Sequence, residues 1–466
     1  MNATLGQLQS WLGLPVSAGT AGETAIGGLF TDSRAVTPGS VFVALRGERF
    51  DAHDFLDQVI AQGAAAVVVE QAPAGLAVPA LVVPDTRLAL GTIGQCWRQQ
   101  FRLPLIAVTG SNGKTTVKEM IAAILVAAFG VDKSLATRGN FNNEIGVPLT
   151  LLRLQAEHRA AVIELGMNHP GEIAVLTALA EPTVGLVNNA QREHQEFMAS
   201  VAAVAEENGS VIRGLAATGI AVFPADDPYS ELWRGYSAGK GGSLTFGLTP
   251  AADVHCSYSN SVDGFGSELA VSVPGQPGFV VHLSAAGEHN VRNALAAIAC
   301  TLAIGVDLAA IKRGLESFAP VSGRLQRKLA TLENCSGALV IDDTYNANPD
   351  SVRAAIDVLA QVAEPRLLVL GEMGEVGNDG LQFHHEIGAY AQQRGITQMF
   401  TLGAMAAEAS IAFGPQARHF TDIAALLAAL DAAMTPNTTV LIKGSRFMKM
   451  ERAVQHLVGT TSEGTH

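Results

Sequence analysis

At 466 residues the chain exceeds one ordinary hydrophobic core, and its length predicts about three domains. The composition, 48% hydrophobic and 16% charged with 48 glycines, is that of a globular protein rich in sharp strand-to-helix turns. A net charge of −13 argues against sequence-independent nucleic-acid binding, and no run reaches the ~18 apolar residues needed to span a bilayer.

In chain order, the first ~85 residues hold short apolar strands, VFVAL (41–45), AAAVVVE (64–70) and ALVVPD (80–85), separated by glycine- and aspartate-containing turns. They predict a small α/β domain. A helical stretch over 86–102 leads to Pro104, and from Leu105 a strand–turn–helix rhythm begins. LIAVTG reads as a strand. Gly113 opens a helix whose apolar positions, Val117, Met120, Ile121, Ile124, Leu125 and Ala128, share one face. AAVIELG (160–166), VGLVNNA (184–190) and GIAVFPADD (219–227) are apolar at nearly every position, as strands covered on both sides are. Between about 242 and 285 the glycine-punctuated alternation predicts an antiparallel appendage. A helix over 289–304 and a linker at 318–323 follow. ALVIDD, RLLVLGEMG, MFTLGA and TVLIKGS then restart the βα rhythm. The expected architecture is α/β in three domains: 1–85, a central phosphate-loop domain on a parallel sheet over 86–318, and a Rossmann-like domain over 319–466.

Cys96, Cys256, Cys300 and Cys335 lie too far apart for a disulfide framework or a zinc site. The N-terminus lacks a basic stretch followed by an apolar one, so a cytoplasmic protein, expected to be a monomer, is predicted.

The chemistry centres on TGSNGKTT (109–116), joining a strand to a helix. Gly110, Ser111, Asn112 and Gly113 would turn backbone N–H groups toward phosphate oxygens, with the helix dipole adding positive charge. Lys114 would lie along the β- and γ-phosphates of ATP, with Thr115 on Mg²⁺ and Thr116 beside it. The glycine spacing is shorter than in the general phosphate loop. Glu164 closes a buried-type strand, where a carboxylate needs a positive partner, and His194 follows another strand by a few residues. Thr137, Asn140, Asn142 and Asn143 cluster beside Gly139, either as a polar turn or as recognition of an oxygen-rich substrate. Farther on, Asn290 and Asn293 share a helix and Arg324 follows the linker. Asp343 ends a strand, where it could accept from ribose hydroxyls or form a surface ion pair.

These motifs occur together. TGSNGKTT, TRGNFNNEIGVPLTLL, ELGMNHPGEI, GEHNVRNALAA, SGRLQ, DDTYNANPDS and LIKGSRFMKME stand in the order seen in Mur ligases, and TDSRAVTPGSVFVALRGERFDAHDF resembles that family's uridine-nucleotide domain. NNEIGVPL and DDTYNANPDS resemble the branch that joins D-alanyl-D-alanine to UDP-N-acetylmuramoyl-tripeptide. The resemblance implies ATP-dependent amide-bond formation through an acyl phosphate, in the assembly of peptidoglycan precursors. By that resemblance Lys114 neutralises the γ-phosphate, Thr115 and Glu164 hold one Mg²⁺, and His194 helps hold a second metal. Asn290 and Asn293 would meet the adenine side, Arg324 the phosphates and Asp343 the ribose. Ser33 and Arg34 would bind the uridine diphosphate, while Thr137, Asn140, Asn142 and Asn143 line the muramoyl-peptide path. Asn346, Asn348, Lys443 and Arg446 are expected on the dipeptide side.

One departure stands out. Related ligases often carry a carbamylated lysine after the metal histidine, and none lies between His194 and Arg213 here. Either Glu206 or Glu207 supplies a carboxylate in its place, or the second metal is held more weakly. A folylpolyglutamate synthase, a sibling Mur ligase and a nucleotide-switched scaffold are the competing readings. The N-terminal domain disfavours the first and DDTYNANPDS the second.

Overall fold

The computed structural model describes residues 1–16, 22–47, 50–193 and 196–459. Its N-terminal part pairs β1 (Ala3–Thr4) with β2 (Ala25–Ile26), and stacks β3 (Leu29–Phe30), β4 (Val41–Val43), β5 (Ala66–Val69) and β6 (Ala80–Val82) into a parallel sheet in that order. Every residue of β4 and β5 is buried, the reason their sequences are unbroken β-branched and aromatic runs.

The helix Thr86–Arg98 leaves this sheet, capped by the Asp85 carboxylate, which accepts from the Arg87 and Leu88 amides. Ala89, Leu90 and Ile93 pack into the N-terminal core alongside Leu152 from the next domain. At its far end the buried Arg98 guanidinium donates to the carbonyls of Ala180 (3.0 Å), Phe101 (2.8 Å) and Glu181 (3.1 Å). The expected helix over 86–102 thus stops at Arg98, whose side chain is spent on holding the following turn.

The central sheet contains β7 (Leu105–Thr109), β8 (Ser134–Ala136), β9 (Ala160–Glu164), β10 (Val184–Val187), β11 (Ile220–Pro224), β12 (Gly242–Gly247), β13 (Val254–Asn260), β14 (Ser267–Ser272) and β15 (Phe279–Leu283). Its order is β15-β14-β13-β12-β11-β10-β7-β9-β8. The antiparallel appendage expected from about residue 242 begins later. β12 pairs parallel with β11 and β13 parallel with β12; only β13, β14 and β15 run antiparallel. β14 alternates buried and exposed residues because only one of its faces is covered. On one face of the sheet, Val117, Met120, Ile121, Ile124 and Leu125 of the helix Lys114–Phe129 join the helices Glu288–Ala303 and Leu308–Ser317 in a common core. A second core built around Leu176, Ile212 and Trp233 covers the other face.

The last sheet holds β16 (Gln326–Leu329), β17 (Leu339–Asp343), β18 (Arg366–Gly371), β19 (Gln398–Leu402), β20 (Ala417–Phe420) and β21 (Thr439–Lys443), in the order β16-β17-β21-β18-β19-β20. All are parallel except the edge strand β16. The α/β architecture in three sheet-centred parts agrees with the sequence reading. No helix among the described residues is long and apolar enough to cross a membrane.

Candidate active site

β7 lies between β9 and β10, so its carboxyl end opens at the middle of the sheet, where an open α/β sheet presents its ligand crevice. Gly110 (φ 137°) and Gly113 (φ 80°) both hold left-handed backbone, a conformation costly for any side-chain-bearing residue. Space excludes a side chain as well: a Cβ on Gly113 would lie 2.5 Å from Asn293 Oδ1 and 2.8 Å from Asn188 Nδ2. The loop is braced from behind. Asn189 Oδ1 accepts from the Asn112 amide (2.9 Å), and Asn188 Nδ2 donates to the Asn112 carbonyl (2.8 Å) and to Asn293 Oδ1 (2.9 Å). Asn293 in turn donates to Asn290 Oδ1 (3.0 Å). Lys114 Nζ donates to the carbonyls of Gly110 (2.6 Å) and Ser111 (3.3 Å), and forms an ion pair with Glu193 Oε1 (2.7 Å).

Glu164, at the end of β9, is buried. Its Oε1 accepts from Asn142 Nδ2 (2.9 Å) and its amide donates to Thr137 Oγ1 (3.0 Å). Its Oε2 is buried with no hydrogen-bond partner among the described residues. A buried carboxylate oxygen without a donor is costly, and a divalent cation bound there would offset that cost. The donor set of Glu164 and the Thr115 hydroxyl, all oxygen, fits Mg²⁺. No group of three or more His, Cys, Asp or Glu side chains converges as a complete protein cage among the described residues. That suits a cation which keeps several waters and takes further oxygens from phosphate.

The C-terminal part supplies the facing wall. Arg324 Nη2 donates to Thr115 Oγ1 (2.8 Å), its guanidinium lies 4.2 Å from the Tyr345 ring centroid, and its Nε is buried without a hydrogen-bond partner among the described residues. Asn348 caps the helix Pro349–Leu359 and also donates through Nδ2 to Asn112 Oδ1 (2.9 Å), so one side chain ties that helix to the phosphate loop. Arg192, from the loop after β10, meets Asp350 (2.6 Å) and Glu386 (3.1 Å) and sits 5.3 Å over the Phe383 ring. The hydrogen bonds it donates to the Asp350 carboxylate raise the Arg192 guanidinium above its usual range. Together these groups enclose a cleft of about 920 Å³, the size of a small-molecule site. Inside it, burial pushes the His289 imidazole below its ordinary pKa and the Asp227 carboxyl above its own.

Of the residues singled out in the sequence, Ser111 through Thr116, Asn140, Asn142, Asn143, Glu164, Asn290, Asn293, Arg324, Asp343, Asn346, Asn348 and Lys443 all line this cleft. Lys443 and Asp343 were expected on separate tasks, dipeptide and ribose. They form one buried ion pair (2.6 Å), because β17 and β21 are adjacent and in register at these two positions. Thr137 stands behind the wall, supporting Glu164. Ser33 and Arg34 lie away from the cleft in the N-terminal part, where Arg34 is exposed and paired with Asp32 (2.6 Å). Arg446 does not line the cleft either and pairs with Glu451 (3.2 Å). His194 lies outside the described residues. The two carboxylates expected to replace the lysine point elsewhere. Glu207 accepts from the amides of Gly171 and Ile173, both at 2.8 Å, capping the helix Glu172–Ala180, and Glu206 pairs with Arg213 on the surface. The sequence reading missed Asn188, Asn189, Arg192, Glu193 and Asp350. The first two stand at a strand end beside the phosphate loop, which was the available signal.

Comparison with known proteins matches residues 25–95 to the Mur ligase family catalytic domain, 108–301 to the Mur ligase middle domain, and 323–446 to the Mur ligase glutamate ligase domain. The chain belongs to the Mur ligase family. Among its relatives, the UDP-N-acetylmuramoyl-tripeptide–D-alanyl-D-alanine ligase of Escherichia coli K12 is 42% identical over 432 residues, covering 92% of each chain. The ligase of the same name from Haemophilus influenzae is 40% identical over 435 residues, again covering 92% of each. The crystal structure of MurF from Acinetobacter baumannii superposes with a TM-score of 0.89 at 35% identity, over 97% of this chain and 98% of that one. MurF from Thermotoga maritima, solved in complex with ADP, gives 0.81 at 26% identity over 92% and 96%.

Proposed function

We propose that this protein joins D-alanyl-D-alanine to UDP-N-acetylmuramoyl-tripeptide, using ATP and releasing ADP and phosphate, with Mg²⁺ as cofactor. The observation that carries the reading is the meeting of Arg324 with Thr115: a cation from the C-terminal part stands at the phosphate loop of the central part. The end-to-end likeness to ligases of that name supports the choice of substrates.

In the first step a carboxylate oxygen of the tripeptide attacks the γ-phosphorus. The bond from the γ-phosphorus to the bridging oxygen breaks, and ADP leaves. Both reactants are anions, so the barrier is chiefly electrostatic and positional. Lys114 offers its charge at the β- and γ-phosphates, the backbone N–H groups of 113–116 at the helix start would face the same oxygens, and Arg324 brings its guanidinium from the opposite wall. Mg²⁺, which Glu164 and Thr115 would hold, neutralises phosphate charge when bound. Asn142 fixes the Glu164 carboxylate, and Asn140 and Asn143 lie on the same rim for the incoming peptide. In the second step the dipeptide amine attacks the acyl carbon, the tetrahedral intermediate expels phosphate, and the amine sheds its proton. Asn346 and Asn348 border this side. Enclosure between the two walls keeps water from hydrolysing the acyl phosphate.

Ser33 and Arg34 are proposed for the uridine diphosphate and His194 for a second metal. The domains are proposed to divide at 85/86 and 318/319. A cytoplasmic location and a monomeric state are proposed for an enzyme that uses ATP and a nucleotide-linked substrate.

The test is a coupled ADP-release assay. Turnover should need both UDP-tripeptide and D-alanyl-D-alanine, and phosphate release that stays at its basal level when both are added would refute the ligase. Arg324→Ala is expected to lower kcat by about 10²-fold. A rate equal to the parent would remove Arg324 from the mechanism.

A further inference from the structure

Lys114 has three ammonium hydrogens and three acceptors: the Gly110 carbonyl, the Ser111 carbonyl and the Glu193 carboxylate. A γ-phosphate arriving at this amine must therefore displace one of them. The carbonyls belong to the loop's own backbone and hold its turn. Glu193 is different. It comes from the loop after β10, 79 residues away, and presents to Lys114 the same chemistry as a phosphate, an anionic oxygen at 2.7 Å. Its side chain is only 10% exposed, so the pair is shielded from the solvent screening that makes surface ion pairs weak.

The neighbouring residue is anchored on the other side of the cleft. Arg192 gives its backbone N–H to Asp350 Oδ2 (2.9 Å), and its guanidinium engages both Asp350 and Glu386. Both acids stand on C-terminal helices, Pro349–Leu359 and Gly380–Gln393. Two successive residues thus link the C-terminal part to the phosphate lysine.

We propose that Glu193 is an internal surrogate for the γ-phosphate, held on Lys114 by the Arg192 anchor, and that it sets how strongly the site prefers a nucleoside triphosphate over a diphosphate. With Glu193 seated, Lys114 is engaged and its loop stays ordered. A triphosphate gains Lys114 only by displacing the carboxylate, so part of the γ-phosphate's binding energy is spent on that exchange. A diphosphate brings only its β-phosphate to Lys114 and therefore competes less with the carboxylate. Product release is correspondingly favoured, because Glu193 returns to Lys114 when the γ-phosphate has gone.

This inference rests on the assignment of Lys114 to the ATP phosphates. Titration calorimetry with ADP and with a non-hydrolysable triphosphate analogue, each with Mg²⁺, tests the two separately. In Glu193→Gln, which keeps the shape and removes the charge, the ratio of the ADP Kd to the analogue Kd should rise about tenfold, with ADP affinity little altered. Arg192→Gln should move the ratio the same way by a smaller factor, since it loosens the anchor without touching Lys114. A ratio unchanged or lowered in Glu193→Gln, in protein that still binds ADP, would overturn the proposal. Failure of the parent protein to bind either nucleotide would instead overturn the ATP assignment.

Discussion

Lys114→Ala is expected to cut turnover by about 10³-fold, the upper end of what one charged donor contributes where transition-state charge develops. The measured quantity is kcat in the coupled assay at saturating ATP, which separates chemistry from weakened binding. Stability needs its own measurement, because the mutation removes the ammonium paired with the buried Glu193 carboxylate. Tm should therefore fall in Lys114→Ala and recover in the double variant Lys114→Ala/Glu193→Gln, while activity stays lost in both. Near-parental kcat in either would refute the role given to Lys114. Recovery of activity along with Tm would show that the lysine serves only the fold.

The second large effect is expected at Glu164. Its Oε2 is buried without a hydrogen-bond partner among the described residues and Oε1 is held by Asn142, so the side chain is fixed with one oxygen open. Glu164→Gln should lower kcat by about 10²-fold and raise the Mg²⁺ concentration needed for half-maximal rate by about tenfold or more. The same substitution should leave Tm unchanged or higher, because a neutral amide is less costly to bury than a partnerless carboxylate. Magnesium titration of the rate, beside thermal melting without metal, checks both parts. A parental Mg²⁺ requirement would take Glu164 out of the metal site. A lowered Tm would mean that the carboxylate is satisfied by the fold itself.

Much of this site could be read in the sequence, because its chemistry is local. The loop at 109–116 needs only a strand, two glycines and a helix start, and all three are contiguous. Glu164 was recognisable because a carboxylate ending an apolar strand demands an explanation. What could not be read are pairings whose members are far apart. Arg192 and Asp350 are 158 residues apart, and nothing in either segment names the other. Lys443 and Asp343, 100 residues apart, meet only because β21 inserts between β17 and β18, a strand order that periodicity does not encode. The same limit explains the early start given to the antiparallel segment. β12 has the glycine texture of a hairpin strand, yet a parallel neighbour was available to it. The expectation for Glu206 and Glu207 rests on their distance along the chain from His194, whereas a helix N-terminus without its own side-chain cap claims Glu207 first.

The Arg98 guanidinium, enclosed by backbone carbonyls, has a mechanical consequence. The helix that carries it shares one apolar core with the N-terminal sheet and is bolted at its end to the central part. The C-terminal part meets the central one through ion pairs and amides such as Arg192 with Asp350, Arg327 with Asp263 (2.8 Å), and Asn348 with Asn112, beside a smaller apolar contact in which Ala286 and Phe265 pack on the C-terminal core. The two joints therefore answer to different changes: loss of a methyl group would loosen the first, while added salt would act on the charged contacts of the second.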